Sequence, residues 1–225
     1  MNRNRILLTA VAATLLLAAL PVSAGAQGAG NYRVTITNLT SGQIISPPVV
    51  VTHSAGTYVF RAGEVASSQV AALAEDADSA GLLAALAADP QVADFDIAGG
   101  PLLPGDSVTF YLNSAGPWTR LTALGMLVTT NDAFFGLDSA ELSGRPRSKV
   151  FSVPAYDAGS EVNSESCTYI PGPPCMNGGV RDTDGAEGFV HVHSGIHGIA
   201  DLVPAEHDWR NPVVRIEVQR GSFLD

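Results

Sequence analysis

The sequence has few cysteines and few basic residues, and both shortages limit what the protein can be. Only two cysteines occur in 225 residues, Cys167 and Cys175. Their spacing differs from the Cys-x-x-Cys of a metal pair, so in an oxidising compartment we expect a local disulfide that the fold does not require. Twelve lysines and arginines against 22 acidic residues give a formal net charge of −10. Such a chain is a poor ligand for nucleic acid or anionic lipid, but it is compatible with cation binding.

A second long apolar run is also missing, because the one such run lies at the amino terminus. Arg3 and Arg5 precede apolar residues 6–20, and Ala24-Gly25-Ala26 follows them. This is the pattern of a secretory signal peptide, and the run is shorter than the roughly 20 apolar residues of a spanning helix. No cysteine follows that would carry a lipid anchor. We therefore expect residues 1–26 to be removed, which leaves a secreted or periplasmic chain without a transmembrane segment.

The remaining sequence is dominated by strand signals. Apolar residues that alternate with polar ones, or form short runs between turns, predict strands at residues 32–37, 107–112, 121–130, 150–153, 188–193 and 212–218. Pro47 and Pro48 restrict residues 44–51 to an edge strand or a bend. Residues 65–88 are rich in alanine, with leucines at helical spacing, and predict two short helices at one end of the domain, residues 65–75 and 80–88.

Strands separated by turns, with one helical insertion, predict a single mainly β domain over residues 32–220. Its expected architecture is an antiparallel β-sandwich with a short Ala-rich helical insertion.

Two acidic clusters follow apolar runs, Asn131-Asp132 and Asp157-Ala158-Gly159-Ser160-Glu161. Loops at one end of a sandwich can bring Asp132, Asp157 and Glu161 together, and calcium takes six to eight oxygen ligands of this kind. The contiguous EF-hand pattern is absent, so the ligands would have to converge from separate loops. Two alternatives remain open for these carboxylates, namely ordinary acidic turn residues or the acid and base of a glycoside hydrolase.

Three motifs in order carry a resemblance to a known family. They are Asn131-Asp132 with Phe134-Phe135-Gly136 beyond it, the run from Tyr156 to Glu161, and the late run from Trp209 to Ile216. Over about residues 32–220 the chain resembles a spondin domain, the module at the amino-terminal side of F-spondin, which has many secreted bacterial relatives.

The resemblance implies an antiparallel β-sandwich related to calcium-dependent lipid-binding domains. It also implies that Asp132, Asp157 and Glu161 bind calcium, with Glu161 standing where the animal members carry aspartate. Its implied role is adhesion or matrix interaction, with an extracellular protein or polysaccharide as the partner.

His191, His193 and His197 form a second candidate site, His-x-His-x-x-x-His. Residues two apart on a strand point the same way, so His191 and His193 share a face, and His197 could fold back after Gly195. Three imidazoles suit zinc or copper, which leaves a secreted metal protein or hydrolase as the alternative function. The same pattern also fits one histidine bonded in the sheet and two in water. No Gly-x-Ser-x-Gly elbow accompanies them, and we assign no catalytic residue.

Overall fold

The computed structural model describes residues 30–144 and 146–223, so the predicted signal segment, residues 1–26, lies outside the described residues. Two antiparallel sheets pack against each other, which confirms the predicted mainly β sandwich. The strands of the four-stranded sheet, in spatial order, are β4 (Ser107–Leu112), β1 (Gly30–Asn38), β10 (Val214–Phe223) and β7 (Ser148–Val153). Those of the six-stranded sheet are β3 (Val92–Ile97), β2 (Val49–His53), β5 (Arg120–Met126), β6 (Ala133–Glu141), β8 (Ala155–Asp157) and β9 (His191–Val192).

The main core lies between the sheets. Val34 and Ile36 on β1 point inward together because alternate residues of a strand share a face, and Ile216 on β10 joins them. They belong to the same buried cluster as Leu121 and Phe135 of the six-stranded sheet. This alternation is the signal by which β1 and β10 were predictable from sequence.

The helical insertion covers the outer face of the six-stranded sheet. It consists of α1 (Ser68–Asp76) and α2 (Ala80–Ala88), which bury Leu73 and Leu86 in one cluster with Leu124 and Phe134. The expected position at one end of the sandwich is therefore wrong. Because β2 and most of β5 are buried on both faces, their sequences do not alternate between apolar and charged residues.

Several boundaries differ from the sequence prediction for local reasons. Helix α1 starts three residues later than predicted, because the Ser67 side chain accepts a hydrogen bond from the Val70 N–H and caps it there. Strand β2 is an interior strand, between β3 and β5, because Pro47 and Pro48 precede it and remove no ladder donor. The strand predicted at residues 188–193 is limited to His191–Val192.

Two further features complete the chain. A short helix, α3 (Pro204–His207), precedes β10, and the loop of residues 158–190 joins β8 to β9. That loop contains the predicted disulfide between Cys167 and Cys175. Within residues 30–144 and 146–223, every helix is too short or too polar to cross a membrane.

Candidate metal site

Three strand ends meet at one corner of the six-stranded sheet. In the antiparallel ladder Ala133, which opens β6, pairs with Asp157, which closes β8, and Asp157 pairs with His191, which opens β9. Asp132 and Asp157 are therefore neighbours, and the Ala158 N–H donates to the Asp132 carbonyl at 3.2 Å. The ladder thus assembles the corner from residues 25 or more positions apart in sequence.

A tight turn between β5 and β6 holds Asp132 in place. The Thr130 hydroxyl donates to the Leu127 carbonyl at 2.6 Å and accepts from the Ala133 N–H at 3.1 Å. Asp132 is fully buried, and its Oδ2 accepts from the backbone N–H groups of Ser160 at 2.8 Å and Glu161 at 3.0 Å. Its Oδ1 is buried too, and within the described part of the chain it has no hydrogen-bond partner.

Gly159 turns the chain from Asp157 back toward Asp132. Its φ is +66°, and a Cβ there would lie 2.4 Å from the Phe189 carbonyl oxygen, so only glycine fits. The same close approach lets the Gly188 N–H donate to the Gly159 carbonyl at 2.8 Å. It therefore docks the end of the long loop beside the acidic cluster.

Glu161 ends the turn with a buried and unsatisfied side chain. It is 1% exposed, and neither carboxylate oxygen has a hydrogen-bond partner among the described residues. Burial raises its pKa to about 8, and the negative charges of Glu75 and Asp132 add to the rise. Arg181 opposes it only partly, because its guanidinium is paired with Glu75 and Asp76 on α1.

The Asp132 carboxyl group is perturbed in the same direction. Burial, followed by the charge of Asp157, raises its pKa to about 7. Burial also raises the pKa of Asp157, although that carboxylate accepts from the Gly159 N–H at 2.6 Å and from the Asn163 amide. A buried carboxylate that lacks donors must take a proton or a cation to be stable.

His191 approaches the cluster from β9. Its Nε2 is 3.7 Å from Asp157 Oδ1 and 4.0 Å from Glu187 Oε2. One ligand atom each of Asp157, Glu187 and His191 lies within 4.8 Å of the others, a spacing that could hold a metal ion. The expectation that His191 and His193 share a face fits the structure, since His193 Nε2 lies 4.0 Å from Asp157 Oδ2.

His193 uses both ring nitrogens in hydrogen bonds. The Gly195 N–H donates to Nδ1 at 2.9 Å, so the proton of the neutral ring is on Nε2, which donates to Asn163 Oδ1 at 2.9 Å. Burial and the neighbouring histidines lower its pKa to about 4. A neutral ring with both nitrogens in hydrogen bonds offers no free lone pair to an ion. His193 therefore stabilises the cluster without binding the ion itself.

His197 lies apart from the other two histidines. Its side chain is 56% exposed, and its Nδ1 is 3.9 Å from Glu165 Oε1. Glu165 is buried, but its carboxylate accepts from the backbone N–H groups of His197, Gly198 and Ile199 at 2.5–3.0 Å. It is therefore a satisfied structural carboxylate, in contrast to Glu161.

Sequence reasoning placed Asp132, Asp157 and Glu161 at one corner, and backbone contacts link their chain segments there. The ligand atoms that lie within 4.8 Å of one another among the described residues are those of Asp157, Glu187 and His191, so the predicted trio does not form such a group.

Sequence reasoning missed Glu187 and Asn163. Glu187 lies four residues before His191, a spacing that could have linked the two residues. Asn163 carried no comparable signal, because its role depends on the fold of the long loop.

No protein-family model matches the chain, and no curated protein matches it either. The resemblance to the spondin domain stays a prediction. What the corner can bind must therefore be judged from its donor atoms.

Proposed function

We propose that the protein is an exported β-sandwich module that binds calcium through Asp132, Asp157 and Glu161 and presents the neighbouring loops to an extracellular partner. One observation carries the calcium proposal. Asp132 Oδ1 and both Glu161 oxygens are buried, and the described residues provide them with no hydrogen-bond donor. Unpartnered carboxylates of this kind are uncommon in folded proteins, and they require an explanation.

A hard cation explains the unpaired carboxylate oxygens of Asp132 and Glu161 better than protons alone. Without an ion, the Glu161 carboxyl group would be mostly protonated at neutral pH and the Asp132 carboxyl group about half protonated, since the pKa of Asp132 is raised to about 7 and that of Glu161 to about 8. Calcium prefers oxygen ligands from carboxylates, carbonyls and water. An ion would neutralise the cluster and use the lone pairs that are otherwise unpaired.

The ion would also fix the loops around it. Asp132 lies directly before β6, Asp157 at the end of β8, and Glu161 in the loop of residues 158–190. Arg181 of the same loop binds Glu75 and Asp76 on α1, so the helical insertion is coupled to this corner. Calcium would thus make one rigid surface from elements that are distant in sequence.

Export and partner binding rest on the sequence. The amino-terminal pattern favours secretion, and the Cys167–Cys175 disulfide fits an oxidising compartment. The interaction role follows from the resemblance to spondin domains, with an extracellular protein or polysaccharide as the partner.

Calcium binding is tested by thermal unfolding of protein freed of metal with a chelator. A ligand that binds only the folded state at 100 times its Kd stabilises it by about 2.7 kcal/mol, so calcium should raise the Tm. Asp132→Asn should abolish the response. Asp96→Asn, an exposed change on β3 at the far edge of the same sheet, is the matched control and should keep it. An equal calcium response in Asp132→Asn would contradict the proposal.

The interaction role needs a separate experiment. The immobilised protein is exposed to a panel of extracellular polysaccharides and matrix proteins, with calcium or with chelator. We expect at least one partner to bind in calcium and to dissociate on chelation, with binding lost in Asp132→Asn. Calcium binding without any calcium-dependent partner would reject the interaction role and leave the cation site standing.

A further inference from the structure

We propose a second metal site in which Asp157, Glu187 and His191 bind a divalent ion such as zinc, which accepts both nitrogen and oxygen ligands. It goes beyond the calcium site because one ligand is a nitrogen and because Glu187 takes no part in calcium binding. The two sites share Asp157. Imidazole favours zinc, copper, iron or nickel over calcium, so the donor set itself separates the two ions.

The orientation of His191 is the first argument. Its Nδ1 lies 3.2 Å from the Val192 carbonyl oxygen, which can only accept, so Nδ1 carries the ring proton. A neutral ring then directs the lone pair of Nε2 toward Asp157 Oδ1 and Glu187 Oε2. Nε2 is buried and lacks a hydrogen-bond partner within the described ranges. A metal-ligating histidine typically donates the N–H of one ring nitrogen to a carbonyl oxygen and binds the metal with the other nitrogen. His191 has this arrangement.

The distances are the second argument. Ligand atoms at 2.0–2.1 Å from a tetrahedral ion lie about 3.4 Å apart. The two nitrogen–oxygen distances here are 3.7 and 4.0 Å. For these two pairs a contraction of a few tenths of an ångström would reach that spacing, and the two carboxylate oxygens lie within 4.8 Å of each other. The Glu187 and His191 side chains are partly exposed, so the group lies near the protein surface.

Asn163 provides the third argument, because it orients both carboxylates. Its amide nitrogen donates to Asp157 Oδ2 and lies 3.5 Å from Glu187 Oε1. Its amide oxygen accepts from His193 Nε2, whose ring is fixed in turn by the Gly195 N–H. Each donor in this series of hydrogen bonds meets an acceptor, so His193 and Asn163 position the Asp157 and Glu187 carboxylates.

The competing interpretation is that His191 is a charged imidazolium paired with the two carboxylates. Both nitrogen–oxygen distances exceed the 2.7–3.2 Å of an N–H···O hydrogen bond. An imidazolium would donate its Nε2 proton to one carboxylate at shorter range. The separations are closer to the roughly 3.4 Å between two ligand atoms of one tetrahedral ion than to that hydrogen-bond range.

The test is a titration of the metal-free full chain, without an affinity tag, with Zn²⁺ in competition with a fluorescent zinc chelator. We expect binding of one ion, weakened by about 100-fold or more in His191→Ala and in Glu187→Gln, since loss of an outer-shell partner alone costs 10–100-fold. Asn163→Ala should fall in that outer-shell range. His197→Ala, an exposed histidine outside the cluster, should bind zinc as the parent does.

A second readout separates a metal site from an ion pair. Zinc should shift the ¹⁵N resonance of His191 Nε2 and leave that of His197 unchanged. Parent-like zinc binding in His191→Ala would overturn the proposal. So would loss of zinc binding in Glu161→Gln with retention in Glu187→Gln, because the only ion site would then be the oxygen-rich one. Calcium binding in Glu187→Gln is expected to persist, so failure of one site is distinguishable from failure of the other.

Discussion

The Glu161→Gln variant should be more stable than the parent protein in chelator and less stable than the parent in calcium. In metal-free protein the pKa of Glu161 is raised from 4.5 to about 8. The folded state therefore binds the proton of the Glu161 carboxyl group more tightly than the unfolded state does. The contribution of this group to the free energy of unfolding falls as pH rises from about 4.5 to about 8. At pH 7 the cost is about 3 kcal/mol, at about 1.4 kcal/mol per pH unit.

The neutral amide of glutamine avoids that cost. Its buried N–H groups lack acceptors, which costs at least about 1 kcal/mol, so we expect a net gain of up to about 2 kcal/mol in chelator. In calcium at 100 times its Kd the parent gains about 2.7 kcal/mol and the variant gains nothing. The parent should then be the more stable of the two proteins.

Urea unfolding at pH 7, followed by tryptophan fluorescence with and without calcium, measures both differences. Glu165→Gln is the matched control, because Glu165 is equally buried but accepts from three backbone N–H groups. It should destabilise the protein in both conditions and leave the calcium response intact. Should Glu161→Gln be no more stable than the parent in chelator while both proteins respond equally to calcium, the reasoning would be refuted.

Three further predictions follow from the same contacts. Metal-free protein should lose stability as pH rises from 5 to 8, since the pKa of Asp132 is also raised, to about 7. Saturating calcium should remove this loss. A free energy of urea unfolding that does not change with pH in chelator would contradict the prediction. Arg181→Ala should cost about 1–3 kcal/mol, because it leaves Glu75 buried and unpaired, and hydrogen exchange in α1 should accelerate; unchanged exchange would show that the ion pair does not anchor the helix. Reduction of the Cys167–Cys175 disulfide should lower stability by at most about 2–3 kcal/mol without unfolding the protein, and loss of the native circular dichroism spectrum would show that the fold depends on it.

Periodicity made much of the fold predictable, and its failures have physical causes. Strand β4 and helix α2 have the predicted bounds, since β4 is an uninterrupted run between turns and α2 is a compact Ala-Leu run. Strand β6 was missed because its first four residues are buried on both faces and because it contains Gly136 and Asp138, which are poor strand formers. Strand β3 was missed because it follows Pro90 and alternates with aspartates.

The candidate site divides in the same way. Loop order after strands was enough to place the backbones of Asp132 and Asp157 side by side, because an antiparallel ladder puts the start of one strand beside the end of its neighbour. That the three carboxylates share one ion stays a prediction. The histidine pattern was less informative. Alternation placed His191 and His193 on one face, but only the hydrogen bonds distinguish a ring with a free Nε2 from a ring that uses both nitrogens. Glu187 and Asn163 depend on the path of a 33-residue loop that has no periodicity to read.

The most direct measurement is a crystal structure of the protein grown in calcium, with anomalous scattering recorded at the corner where β6 and β8 meet. The account predicts one ion at about 2.3–2.6 Å from Asp132 Oδ1 and from a Glu161 carboxylate oxygen. A corner that contains only water or protein hydrogen bonds at saturating calcium, with the Glu161 side chain turned away from Asp132, would contradict it.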